Sequence, residues 1–263
     1  MPESSRARQR RPCYRFCRWW PVLLTLVVLG LLAGAWLLRP LAPEPAALAA
    51  LRSDATVTVT DQGWGFFFQP TTRQHPLGVA FYPGARVDAR AYAPVLRRIA
   101  AAGYPVALLR VPLTLAILAQ DRALLVLREH PELRWVLAGH SMGGVAAANL
   151  AIADALGRGR VVGLIFWASY PQHDLAAQRL PALAIFGDRD GLIDAQQREQ
   201  QLRRMPSGTR VVVIDGLNHA GFGAYGLQPG DQVALLSPAE GWLRISQVSL
   251  DFLAGLAQRS EQP

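Results

Sequence analysis

Residues 136–144 read Val136-Leu137-Ala138-Gly139-His140-Ser141-Met142-Gly143-Gly144, an apolar strand pattern that runs straight into Gly-x-Ser-x-Gly. This pentapeptide holds a serine on a strained strand-to-helix turn, with its hydroxyl exposed at the top of a sheet. The glycines are needed because backbone segments approach there too closely for a side chain. Both flanks fit. Downstream, Val145-Ala146-Ala147-Ala148-Asn149-Leu150-Ala151 is small and helix-forming, as the second half of the turn requires. Ser141 is therefore the candidate nucleophile.

A serine hydroxyl is a weak nucleophile at neutral pH, so it needs a base and a carboxylate that orients the base. The motif predicts an acid and then a histidine, each after a later strand. Leu183-Ala184-Ile185-Phe186 leads into Gly187-Asp188-Arg189-Asp190-Gly191, and Val211-Val212-Val213-Ile214 leads into Asp215-Gly216-Leu217-Asn218-His219. His219 suits the base, because imidazole titrates near the working pH. The acid is less determined. Asp188, Asp190 and Asp194 share one loop, and turns recruit aspartate for their own backbone hydrogen bonds. His75, His130 and His173 lie in Pro-flanked or polar stretches, and His140 reads as a variable position of the elbow.

Acyl chemistry also needs two backbone N–H groups aimed at the developing oxyanion. Met142, which follows the nucleophile, supplies one, and a loop after an early strand supplies the other. The strand Val79-Ala80-Phe81-Tyr82 ending in Pro83-Gly84-Ala85 is the candidate, and Pro83 is excluded because it has no N–H.

Strand and helix patterns alternate along the chain, which predicts an α/β fold with a mostly parallel central sheet and helices on both faces. Asp88 caps an expected helix with apolar positions Tyr92, Val95, Leu96 and Ile99, stopped at Gly103. Val106–Leu109 and Val161–Phe166 read as further strands, residues 115–128 as helical, and residues 242–256 as a closing helix. Thr56–Thr60 alternates and suggests an antiparallel edge. The catalytic domain is expected over 56–258, with a polar tail at 259–263. Only Trp167 to Pro181 separates two of the strands, which leaves no room for an inserted helical cap domain there. Residues 221–241 are left as either a lid or a surface crossover.

From about Phe66 to Leu253 the chain resembles the α/β-hydrolase superfamily, in particular its small lidless dienelactone-hydrolase-like and carboxylesterase-like members. The resemblance is carried by the elbow, by Phe81-Tyr82-Pro83-Gly84-Ala85-Arg86-Val87-Asp88, by Arg110-Val111-Pro112-Leu113-Thr114, and by Asn218-His219-Ala220-Gly221-Phe222. It implies an α/β-hydrolase fold, and it implies that the acid is the last residue of a Gly-x-x-Asp turn, here Asp190. It also implies Ala85 as the second oxyanion donor, with Gly84 as the alternative. Ala85 itself departs from the relatives, which often carry a second glycine there.

The amino end is a separate matter. Residues 19–38 carry no charge and contain Trp19, Trp20 and Trp36. About 20 apolar residues suffice to span a bilayer. Arg6, Arg8, Arg10, Arg11, Arg15 and Arg18 precede the stretch, so the basic tail (1–18) is expected in the cytoplasm and the catalytic domain outside. The competing reading is a cleaved signal peptide at Ala33-Gly34-Ala35, but signal cores are usually shorter. Pro40 to Pro45 suggests a semi-rigid, extended linker over 39–55.

The formal net charge is +8, yet the first 18 residues hold six Arg and one Glu, so most of it lies in the tail. No nucleic-acid partner is expected from the remainder. Cys13 and Cys17 both lie in that tail, so no disulfide is expected in the domain. No metal cluster, cofactor loop or nucleotide fingerprint is read. The expectation is a membrane-anchored serine hydrolase of carboxylic esters that needs no cofactor and takes a small ester or acyl substrate. The alternatives are a non-catalytic binding module on the same fold and an acyltransferase acting on an envelope component. Oligomeric state is left open.

Overall fold

Eight strands form one sheet in the order β1-β2-β4-β3-β5-β6-β7-β8. They are β1 (Val57–Gln62), β2 (Gly65–Pro70), β3 (Leu77–Tyr82), β4 (Val106–Leu109), β5 (Arg134–His140), β6 (Val161–Trp167), β7 (Ala182–Gly187) and β8 (Arg210–Ile214). The computed structural model describes residues 19–37, 39–155 and 159–261. Pairing is antiparallel from β1 to β2 and from β2 to β4, and parallel from β4 onward. The central strands β3, β4 and β7 are buried at every position, as expected for parallel strands covered on both faces. The expected edge at Thr56–Thr60 is β1. Its partner β2 is absent from the sequence reading, because Phe66-Phe67-Phe68 is an unbroken aromatic run without alternation.

The described residues hold seven α-helices. They are α1 (Trp20–Leu37), α2 (Pro45–Ala50), α3 (Ala93–Ala101), α4 (Ala123–Glu129), α5 (Met142–Ala155), α6 (Ala195–Leu202) and α7 (Pro238–Glu261). Two glycines show that helices lie on opposite faces. A Cβ on Gly139 would run into the Gly143 backbone at the start of α5, whereas one on Gly163 would meet Leu256 of α7 at 2.9 Å. Gly163 pairs with Val136 across β5 and β6. Val136 and Gly139 are an odd number of residues apart, so they point to opposite faces. α3 packs on α7.

Three expectations are corrected. The helix expected over 115–128 is instead two 3-10 turns, Pro112–Thr114 and Ala116–Ala119, followed by α4. A helix cannot start at 115 because Leu115 is extended, with φ of −120° and ψ of 100°, directly after Leu113 and Thr114 at φ of 50° and 54°. The closing helix is longer than expected, starting at Pro238 with Ser237 Oγ accepting from the Glu240 N–H at 3.3 Å. The expected extended linker is part of the fold. Leu41 bridges to Val87, donating to Arg86 O at 2.6 Å and accepting from the Asp88 N–H at 3.1 Å. The Glu44 N–H donates to Ala224 O at 2.8 Å, and Ala47 of α2 is fully buried. Apolar Leu41 and Ala47 gain more from burial than a free spacer does, and Leu41 braces the chain just after the Pro83-Gly84-Ala85 loop.

The chain divides into two units, residues up to Arg39 and residues from Pro40. In the first, α1 exposes Leu23, Leu26 and Leu31. Among the described residues no helix is long and apolar enough to cross a membrane. The 18 residues of α1 rise about 27 Å at 1.5 Å each, just short of a hydrocarbon core. The basic tail with Cys13 and Cys17, and residue 38 of the expected span, lie outside the described residues.

Candidate active site

Parallel pairing aligns Tyr82 with Gly139, His140 with Trp167, and Gly187 with Ile214. Because of this register, Ala85, Ser141, Asp190 and His219 all follow the carboxyl ends of their strands along one edge of the sheet. This is where ligands bind in open α/β sheets.

Ser141 occupies the elbow with φ of 51°, a left-handed conformation that costs a non-glycine residue on the order of 1–3 kcal/mol. The neighbouring strand end holds it there. Its N–H donates to Trp167 O at 2.9 Å, and Ser169 Oγ donates to Ser141 O at 2.6 Å. Ser169, 2% exposed, is a site residue that sequence reasoning missed. The available signal was its place immediately after the β6 strand pattern. The turn also needs Gly143, whose added Cβ would collide with Tyr82 O and lie 2.6 Å from Pro83 O. Both contacts are backbone of the candidate oxyanion loop. Gly143→Ala is therefore expected to cost about 1–3 kcal/mol by overpacking and to displace that loop. Denaturant titration alongside esterase assay will measure both effects.

The three candidate acids have three separate tasks. Asp188 Oδ1 accepts the Gly216 N–H at 2.6 Å and ties two loops together. Asp194 caps α6, accepting from the Gln197 N–H at 2.7 Å in a reciprocal capping box. Asp190 alone meets the histidine: its Oδ2 lies 2.8 Å from His219 Nδ1, and both side chains are 1% exposed. Asp190 Oδ1 accepts from the Leu192 and Ile193 N–H groups, both at 2.8 Å, so the carboxylate is aimed by its own loop. With Nδ1 bonded to a carboxylate, the imidazole keeps its proton there and leaves the Nε2 lone pair available. Nε2 is buried without a hydrogen-bond partner.

Ser141, Met142 and His219 line one cleft of about 390 Å³, together with Ile117, Val145, Ala168, Tyr170, Leu192, Ile193 and Arg204 among others. The segment 221–241 contributes nothing to this lining, and Phe222 and Tyr225 within it are buried. No helix interrupts residues 168–181, in keeping with the expected lack of a cap.

A second network surrounds the candidate donor loop. The Gly84 N–H donates to Tyr92 Oη at 3.0 Å, and Tyr92 Oη lies 2.8 Å from His140 Nδ1. Gly84 is thus engaged, while the Ala85 N–H makes no hydrogen bond within the described residues. The Met142 N–H is in the first turn of α5, where N–H groups have no intrahelical partner. His140 is 1% exposed, and its ring lies 4.5 Å from that of His219. Burial, and then the neighbouring His219, hold its pKa well below the usual value, so it stays neutral. Tyr92 was legible only as an apolar helix position, and His140 only as a variable one.

The chain belongs to the alpha/beta hydrolase family, whose profile matches residues 78–242. That stretch contains Ser141, Asp190 and His219. Among solved structures, TT1662 from Thermus thermophilus is similar at 16% identity and a TM-score of 0.55, covering 76% of this chain and 98% of that one. Dienelactone hydrolase from Anabaena variabilis gives 17% and 0.52, with coverage of 78% and 98%. Carboxylesterase CesB from Bacillus subtilis gives 12% and 0.52, with coverage of 80% and 95%. At these identities the likeness is one of fold. No functionally curated protein matches the chain.

Proposed function

We propose that the protein is a serine hydrolase of carboxylic esters, working through an acyl-serine intermediate and tethered to a membrane through the uncharged stretch 19–38. The observation that carries this reading is the buried Asp190–His219 pair, with Nε2 unpartnered in the cleft that also holds Ser141. Ser141 Oγ attacks the ester carbonyl carbon while His219 Nε2 takes the hydroxyl proton. The Met142 and Ala85 N–H groups receive the oxyanion. Collapse breaks the C–O bond, and His219 returns the proton to the departing alcohol. Water then attacks the acyl-serine carbonyl carbon and gives its proton to His219, and collapse breaks the acyl–Oγ bond as His219 returns that proton to Ser141 Oγ and the acid leaves. Ile117, Val145, Leu192 and Ile193 make the cleft suited to an apolar acyl group. The tether rests on the uncharged run of α1, apolar all round, and on the arginines before it. The same charge asymmetry supports a catalytic domain outside the cytoplasm.

The test is to incubate the full-length chain in detergent with a fluorophosphonate and find the adduct by peptide mass spectrometry. The expected result is a single adduct on Ser141, with none formed by Ser141→Ala. An adduct elsewhere, or a folded parent that takes no label, would overturn the reading.

A further inference from the structure

At their bases, the loops that carry Asp190 and His219 are bonded to each other directly. The Arg189 N–H donates to Leu217 O at 2.9 Å, and Asp188 Oδ1 accepts from the Gly216 N–H. Beyond these bonds the loops separate. Past Asp190 and Leu217, among the described residues, they are joined by the Asp190–His219 pair itself and by one carboxylate from a third segment. That carboxylate is Asp231, on the turn 228–232, which closes with the Asp231 N–H on Gln228 O at 3.1 Å and turns at Gly230 with φ of 87°.

Asp231 reaches both loops at once. Its Oδ1 accepts from the Gly191 N–H at 2.9 Å and from the His219 N–H at 3.2 Å, and its Oδ2 accepts from the Ala220 N–H at 2.7 Å. Gly191 is the residue immediately after the acid, and His219 is the base. The turn is seated tightly on the acid loop. A Cβ at Gly191 would lie 2.5 Å from Gly230 O and 2.9 Å from Asp231 Cα. Asn218 reinforces the other side, where its Nδ2 donates to Gln232 O at 2.6 Å and its Oδ1 accepts from the Gly221 N–H at 2.8 Å. Bonds to an ionised carboxylate are roughly twice as strong as neutral ones.

We infer that Asp231 is a positioning residue, a clasp that holds the acid loop and the histidine loop at the separation where Asp190 can orient His219. This inference rests on the hydrolase reading above. Asp231 does not line the cleft, so it touches neither substrate nor reacting atoms. The charge state explains why a carboxylate stands here. Four N–H donors converge on two oxygens, the fourth being the Gln232 N–H on Oδ1 at 2.9 Å, and both oxygens must accept. An asparagine would turn its NH₂ toward one of those donors and lose that arm. A triad tolerates little slack, since a displacement of about 1 Å can cost about 100-fold in rate.

The test is a double-mutant cycle on the full-length chain, read by the fluorophosphonate labelling rate and by kcat and KM on p-nitrophenyl butyrate. Asp231→Ala is expected to lower kcat and labelling by about 10- to 100-fold, with KM changed by less than about twofold because uniform binding is untouched. Asp231→Asn, which keeps one acceptor, is expected to fall between parent and Asp231→Ala, and it carries the test if the alanine variant does not fold. In an Asp190→Asn background either change is expected to add less than about twofold, because the pair that the clasp serves is already lost. Equal losses in both backgrounds, or a loss confined to KM, would overturn the inference while leaving a labelled Ser141 and the hydrolase reading intact. A folded parent that takes no label would overturn both.

Discussion

His219→Ala is expected to lower ester turnover by at least about 10³-fold, since a broken triad leaves only oxyanion stabilisation and binding. The loss should fall on kcat, because the imidazole moves a proton in the transition state and contributes little to ground-state binding. The fold should survive. His219 sits on a loop whose backbone is held by Asp231 and Asn218 rather than by the imidazole, so near-ultraviolet circular dichroism should match the parent. A variant that retains parental kcat would mean that another group serves as base. The neutral, buried His140 is poorly placed for that role, with its Nδ1 already bonded to Tyr92.

Asp190→Asn is the second large effect and the more discriminating one. An amide at this position presents either a second donor to His219 Nδ1 or an acceptor without charge, so it neither holds the required tautomer nor stabilises the imidazolium that forms. For a triad of this kind the loss in kcat is about 10⁴-fold. Asp188→Asn and Asp194→Asn provide the contrast on the same loop. Asp188 bonds the Gly216 N–H and Asp194 caps α6. Asparagine keeps an acceptor oxygen for each of these bonds and caps a helix about as well as aspartate, so neither change touches the base. Both variants should therefore keep kcat within about tenfold of the parent and melt close to the parental temperature. If Asp188→Asn or Asp194→Asn abolished turnover and Asp190→Asn did not, the assignment of the acid would be wrong.

The family's profile spans residues 78–242, and within that span most of what matters was visible as local pattern. Gly139, Ser141 and Gly143 announce the elbow because strand, turn and helix are consecutive there, so each constraint acts on its immediate neighbours. The buried parallel strands were legible for a similar reason: unbroken apolar runs between turn signals have few other uses. Where local pattern was ambiguous the reading failed. Phe66–Phe68 has no alternation, residues 112–119 break on the positive φ of Leu113 and Thr114, and the proline-rich stretch after Arg39 folds onto the domain.

Sequence by itself determined the class of fold, the candidate nucleophile and base, and the order in which nucleophile, acid and base occur, since each is written in contiguous residues with a local steric or conformational reason. Tertiary structure alone decided which of Asp188, Asp190 and Asp194 meets His219. It also decided that the Gly84 N–H bonds Tyr92 while the Ala85 N–H has no partner among the described residues, that Ser169 bonds Ser141, and that Asp231 bonds Gly191, His219 and Ala220. The reason is physical. These outcomes depend on hydrogen bonds between residues 8 to 40 positions apart in the chain, most of them brought together by the parallel register of the sheet. A carboxylate's role is set by the donors that reach it, not by its neighbours in sequence.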